Sequence, residues 1–68
     1  MFEYNTIMGK KCCVNPKMIT VILERDNKDE CAIYTCDSPD AIIVKESYEK
    51  VSKAFQKFNY SVQTVINV

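Results

Sequence analysis

Four cysteines carry the most reactive side chains of this sequence, and their spacing decides which chemistry is open to them. They are Cys12, Cys13, Cys31 and Cys36, in a chain without histidine. Thiolates hold Zn²⁺ when Cys-x-x-Cys pairs or a mixed Cys/His set converge on one point. No such pair exists here, and residues an odd number of positions apart in a strand point to opposite faces. We therefore expect reduced thiols that pack as small apolar side chains, with no metal or cofactor.

Catalysis by side chains finds equally little support in the sequence. A cysteine nucleophile needs a positioned base, and the usual base, histidine, is missing. The carboxylate pairs Asp26/Asp29 and Asp37/Asp40 fall in predicted turns, where short acidic residues bond to nearby backbone. A single glycine cannot build a phosphate-binding loop. We therefore expect that the protein is not an enzyme.

Five lysines are the candidates for contact with nucleic acid. They are Lys10 and Lys11 in a predicted turn, and Lys50, Lys53 and Lys57 on one side of a predicted helix. Glu46 precedes Lys50 by four positions, the favourable order for an ion pair on a helix. Nine basic residues balance nine acidic ones, so no strong field attracts an anionic polymer. A small regulator binding nucleic acid is therefore the alternative hypothesis and not the leading one.

The elements that position these side chains are mostly strands. Residues 18–23 are rich in β-branched residues, and residues 31–36 follow the polar turn 26–29, so the two runs should pair antiparallel. Gly9 predicts a turn between residues 2–8 and a return strand at 12–15, which Pro16 interrupts. We predict one domain over residues 1–68, with an α+β fold: a small antiparallel β-meander of about four strands, one amphipathic helix and a C-terminal strand.

Residues 41–45 allow two interpretations. Ser38 and Pro39 are typical of a helix start, and an apolar stripe runs on from Ala41. However, residues 42–44 are three adjacent β-branched residues, and Ser47 offers a second helix start. We prefer a strand there, then a helix from about Tyr48 to Phe58, closed by Asn59. Apolar and polar residues alternate over 60–68, which predicts the terminal strand.

Two segments, CVNPKMI (13–19) and IIVKESYEKV (42–51), resemble the FlbD-like family of small bacterial and phage proteins. Members of that family are associated with flagella and swarming, and the likeness spans roughly residues 9–55. It implies a meander of short antiparallel strands followed by one helix. It transfers no catalytic residues. The chain departs from the family pattern at Lys50, where glutamate is usual, in its Ser-Pro-Asp turn, and in residues 60–68.

Apolar residues on both faces of the predicted sheet are the most informative feature. Pairing across Asn27 and Lys28 puts Ile22, Ile33 and Val44 on one face. One helix covers one face, so the other should expose an apolar patch of the kind that marks an interface. The predicted interface residues are Val21, Leu23, Tyr34, Ile43, Val62 and Ile66. Alternatively, the N-terminal hairpin and the last strand cover this patch within the same chain.

These patterns together predict a non-enzymatic interaction module. Its partner is expected to be a second copy of itself, as a homo-oligomer, or a larger bacterial or phage assembly of which it is an accessory subunit. The first residues contain no basic leader followed by an apolar stretch, and no apolar run reaches the length of a membrane span. We therefore expect a cytoplasmic protein, or a virion-associated one if a phage encodes it, without membrane insertion.

Overall fold

Antiparallel strands and one long helix build this chain, as its computed structural model shows. The structure describes the backbone of residues 1–66 and the side chains of residues 1–59. The elements are β1 (Phe2–Asn5), β2 (Lys11–Val14), β3 (Ile19–Glu24), β4 (Cys31–Thr35), β5 (Ile42–Val44) and α1 (Tyr48–Ile66). The predicted α+β class is confirmed, with five strands instead of about four.

The first hairpin forms around the single glycine, as predicted. Strands β1 and β2 pair antiparallel, with Phe2 opposite Val14. Gly9 has a φ of 82°, a left-handed value that costs glycine little because it has no Cβ. The turn is closed by the Thr6 N–H, which donates to the Lys10 carbonyl at 2.7 Å.

Proline ends β2 and starts a short 3-10 turn. Pro16 cannot donate to a strand ladder, and residues Pro16–Met18 form the turn that leads into β3. The Asn15 side chain caps it, because its Oδ1 accepts the Lys17 N–H at 3.0 Å. The chain thereby changes direction between the first hairpin and the second sheet.

The second sheet has the order β3-β4-β5, and its register is the predicted one. Ile22 lies opposite Ile33, and Leu23 lies opposite Ala32. The register shifts between Ile19 and Val21, where the chain forms a β-bulge. Residues Ile42–Val44 are a strand and not the first turn of a helix, which confirms the preferred interpretation.

A short seam joins the first hairpin to this sheet. Thr6 forms an isolated antiparallel bridge with Val44. On either side of the bridge, the Ile7 N–H donates to the Ile43 carbonyl at 3.1 Å, and the Lys45 N–H donates to the Asn5 carbonyl at 2.7 Å. Strand β1 is thus held next to β5 at one end only.

Helix α1 begins where Ser47 predicts it. The Ser47 side chain accepts the Lys50 N–H at 3.3 Å, and its carbonyl accepts the Val51 N–H at 3.1 Å. These bonds satisfy N–H groups that the first helical turn leaves without an intrahelical partner.

The predicted end of the helix at Asn59 and the strand after it are wrong. The helix continues to Ile66, and no non-glycine residue in the described part of the chain has a positive φ. Nothing in residues 48–66 is a glycine or a proline, so nothing interrupts the helical ladder. Phe58, Val62 and Ile66 are also spaced by four, a helical period that the alternation concealed. Asn67 and Val68 lie outside the described residues.

The core lies between the second sheet, α1 and the first hairpin. It is formed by the buried side chains of Val14, Ile19, Cys31, Ile33, Val44 and Val51. Val51 is fully buried, and Phe55 packs against this cluster, as the helical stripe predicts. The ring of Phe58 meets that of Phe2 edge to face, with centroids 6.3 Å apart. Tyr48, by contrast, is 38% exposed, so the inward stripe begins one turn later than predicted.

Candidate interaction surface

The face of the second sheet that points away from α1 carries only uncharged side chains along its strands. Directly paired residues project to the same side of a sheet, as do residues two apart in one strand. The observed register therefore puts together Val21 and Leu23 of β3, Ala32 and Tyr34 of β4, and Ile43 of β5. We call this set of five side chains the open face.

Two side chains of the open face are exposed although they are apolar. Val21 is 43% exposed and Leu23 is 50% exposed, whereas Ile33 and Val44 on the opposite face are fully buried. Tyr34 and Ile43 are half-buried. Four of the six predicted interface residues are thus on one continuous surface. The side chains of the other two, Val62 and Ile66, lie outside the described ones, and their backbone is helical.

Two further residues shape this surface and were missed by the sequence analysis. Ala32 lies between Leu23 and Ile43 in register and is only 6% exposed, so a small side chain is flanked by two large ones. Ile7 donates its N–H to the Ile43 carbonyl and is 45% exposed, so a further exposed apolar residue lies next to β5. The register alone predicts the place of Ala32. Nothing predicted Ile7, because it follows the end of β1.

The N-terminal hairpin covers the opposite side of the sheet. Phe2, Tyr4 and Cys12 pack against the buried cluster that faces α1, and Val14 is part of that cluster. The alternative prediction was that the hairpin and a terminal strand cover the open face. For the hairpin this prediction is wrong. The terminal strand is replaced by helix through Ile66.

A carboxylate, that of Glu46, lies among the lysines that the nucleic-acid hypothesis invokes. Lys50 Nζ lies 3.2 Å from Glu46 Oε2, the predicted ion pair. Glu46 also lines a shallow groove with Lys11 and Glu3. Lys50 pairs with Glu46 and Lys11 lines the same groove, while Lys10 lies in the hairpin turn and Lys53 and Lys57 follow further along α1. An anionic polymer would meet Glu46 and Glu3 among these lysines, which weakens the attraction.

The cysteines are distributed as their spacing predicts. Cys31 is buried and Cys12 is half-buried, whereas Cys13 and Cys36 are exposed. The Cys36 thiol lies 3.8 Å from the Met18 sulfur. Among the side chains of residues 1–59, no three Cys, Asp or Glu groups come together as metal ligands would.

Burial makes Cys31 a poor nucleophile. Desolvation raises the pKa of its thiol, and the nearby negative charge of Glu46 raises it further. The pKa of Tyr4 is raised as well, first by burial and then by the charges of Cys31, Glu46 and Cys12. Since the thiolate is the reactive form, Cys31 is suited to packing rather than to chemistry.

Within residues 1–66, the helix lacks the length of apolar sequence that a bilayer crossing demands. Comparisons with protein-family models, with curated proteins and with solved structures return no match for this chain.

Proposed function

We propose that this protein is a non-enzymatic interaction module that docks on its partner through the open face. The partner is a second copy of the chain or a larger bacterial or phage assembly, in keeping with the resemblance to the FlbD-like family. Such a module would act in the cytoplasm or, if a phage encodes it, in the virion.

The observation that supports this proposal is the exposure of Val21 and Leu23 on one side of a sheet whose other side is buried. Water-exposed apolar patches of a few hundred Å² are the upper range for monomers and usually mark contact sites. Covering a patch of about 300 Å² would contribute about 7 kcal/mol before the costs of association are subtracted. That contribution is of the same order as the roughly 4–15 kcal/mol that association costs, so the patch favours contact with a partner without fixing the affinity.

The test combines light scattering with binding of a hydrophobic dye, on the full chain in reducing buffer. We expect either a mass above that of the monomer or dye binding by the monomer. Leu23→Ser should abolish whichever is seen, because it removes the most exposed side chain of the open face. Met8→Ser is the matched control, since Met8 is 81% exposed but lies in the hairpin turn. A monomer that binds no dye at high concentration contradicts the proposal.

A further inference from the structure

We propose that the outer edge of β3, with the groove between β3 and α1, binds an extended segment of another protein as an added antiparallel strand. The bound segment carries a basic residue two positions before an apolar one. This inference goes beyond the proposed function, because it concerns the edge of the sheet and the side opposite to the open face.

The direction of the backbone groups in β3 follows from the bonds of β5. The Ile43 carbonyl accepts the Ile7 N–H, so the backbone groups of Ile43 face away from β4. In an antiparallel ladder the backbone groups of successive residues alternate in direction. The pairs Ala32–Ile43 and Leu23–Ala32 carry this alternation across the sheet. The N–H and C=O groups of Leu23 therefore face β4, and those of Ile22 and Glu24 face outward.

These outward groups are a row of donors and acceptors at the edge of the sheet. Among residues 1–66, β3 pairs with β4 alone. The N–H and C=O groups of Ile22 and Glu24 are spaced as a strand presents them, and the ligand that matches such a row is another extended backbone. The edge therefore selects a peptide strand as its occupant.

A groove runs beside this edge, on the side of α1. It is lined by Ile19, Thr20, Val21 and Ile22 of the strand and by Tyr48, Ser52, Phe55 and Gln56 of the helix. The groove is about 180 Å³, so it admits the side chains of one strand and not a helix. Ile22 and Phe55 pack against the core cluster there, while the Tyr48 ring is exposed. An added strand would place the side chain opposite Ile22 in this groove, where an apolar residue is favoured.

Charges at one end of the groove favour a basic residue in the bound segment. Glu24 follows Ile22 by two positions, so its side chain projects to the same side of the sheet. A neighbouring groove is lined by the carboxylates of Glu24, Glu30 and Glu49 and the cations of Arg25 and Lys28. Lys28 lies 3.7 Å from Glu24, but both side chains are exposed, so this pair contributes little. A lysine or arginine opposite Glu24 would form a stabilising cross-strand pair.

Strand β3 of a second copy fits these requirements poorly. The segment Ile19–Glu24 contains no lysine or arginine, so an antiparallel β3 has no basic residue to place opposite Glu24. The β-bulge between Ile19 and Val21 also shortens the regular edge, and the Ile19 N–H is bound to the Pro16 carbonyl. The ladder for an added strand is therefore short and centred on Ile22 and Glu24. Contacts of this size are weak, and we expect a dissociation constant between about 10 μM and 1 mM.

The probe is a hexapeptide with blocked ends, made of threonine except for lysine at its second position and phenylalanine at its fourth. It is titrated into the isotope-labelled full chain in reducing buffer, since Cys13 and Cys36 are exposed and free. NMR then measures the exchange of each amide proton with water. At a peptide concentration about ten times the dissociation constant, the amides of Ile22 and Glu24 should exchange about tenfold more slowly. The amide of Leu23, which already faces β4, should change little.

Two N-methylated probes form a matched pair. Methylation of the phenylalanine nitrogen removes the donor that would face Ile22, so binding should weaken about fivefold or more. Methylation of the threonine between lysine and phenylalanine changes an N–H that points away from β3, so binding should weaken far less. Equal weakening by both methylations overturns strand addition.

Glu24→Lys tests the position of the basic residue. It should weaken binding of the lysine probe by about two- to fivefold and strengthen binding of a probe with glutamate in place of lysine. Asp29→Lys is the matched control, because it makes the same change of charge in the turn beyond the strand. A ratio of the two affinities that is equal in the wild type and in Glu24→Lys overturns the basic position. Should Glu24→Lys fail to fold, the N-methylated pair decides on the wild-type chain.

Other occupants of the edge give different results. Protection of the Ile22 and Glu24 amides that appears without peptide, as the protein concentration is raised, assigns the edge to a second copy and overturns this inference. Absence of protection at about 10 mM peptide overturns it as well. Loss of dye binding in Leu23→Ser is independent of these amides, so the proposed function and this inference can fail separately.

Discussion

The attachment of α1 to the sheet depends on Val51, and Val51→Ala tests it. Val51 is fully buried in the cluster that includes Ile33 and Val44. Removing two methyl groups costs about 1.6 kcal/mol of transfer free energy. The cavity left behind adds about 1 kcal/mol. Alanine is the better helix former and returns about 0.5 kcal/mol. The net loss in the free energy of unfolding is therefore about 2 kcal/mol.

A loss of this size is large for so short a chain. A domain below about 70 residues has roughly 3–5 kcal/mol of stability in total, so Val51→Ala should remove about half. The melting temperature should fall by about 8–16 °C, because each kcal/mol shifts it by about 4–8 °C in a domain of this size. Urea unfolding followed by circular dichroism gives the free energy, and a thermal scan gives the melting temperature.

The control for Val51→Ala is Lys53→Ala, on the exposed side of the same helix. It changes helix propensity slightly and removes no buried contact, so its effect should stay within about 0.5 kcal/mol. If Val51→Ala lost no more stability than Lys53→Ala, the packing of α1 on the sheet described above would be refuted.

Three further predictions concern the first hairpin, the 3-10 turn and the buried thiol. Gly9→Ala should lower the free energy of unfolding by about 1–2 kcal/mol, because Gly9 has a positive φ. A Cβ at this position would meet open space among the described residues, so the loss comes from the backbone alone, and Gly9→Asn should cost less. Urea titration of both variants measures the difference. Asn15→Ala should cost about 1 kcal/mol in the same assay, since it removes the acceptor of the Lys17 N–H; an unchanged midpoint would speak against the cap. The raised pKa values of Cys31 and Tyr4 mean that the folded state holds their protons more tightly than the unfolded one. Their contribution to stability is complete below the ordinary pKa of each group and is lost as pH rises above it, so the melting temperature in reducing buffer should fall from pH 8 to pH 11. In Cys31→Ala the melting temperature should fall less over the lower part of this pH range, where the thiol titrates. If the melting temperature of the variant fell as steeply as that of the wild type, groups other than Cys31 would cause the decrease.

The pairing of β3 with β4 was predictable residue by residue. Two largely apolar runs separated by a short polar turn allow few registers, because a slip by one position moves every apolar side chain to the other face. The pairs Ile22–Ile33 and Leu23–Ala32 follow from that constraint. With the register known, the existence of an open face followed as well.

The C-terminal part of α1 was not predictable in the same way. Asn59 can end a helix, but only a tertiary contact or a true breaker makes it do so, and no glycine or proline follows. An alternating pattern of small apolar and polar residues over 60–66 fits a strand and, through its spacing by four, a helix as well. The place of Ile7 beside Ile43 depends on how two sheets meet, which no local pattern encodes.

The seam at Thr6 and Val44 has a consequence for how the chain folds. Closing a loop of about 40 residues between them costs an unfolded chain about 3 kcal/mol of entropy. The two backbone hydrogen bonds beside the bridge return only about 1 kcal/mol each. The three-stranded sheet can form before this loop closes. Docking of the hairpin lowers the free energy only when Phe2 and Val14 are buried in the core. We therefore expect the hairpin to dock after the three-stranded sheet has formed, when Phe2 and Val14 can pack against the rest of the core.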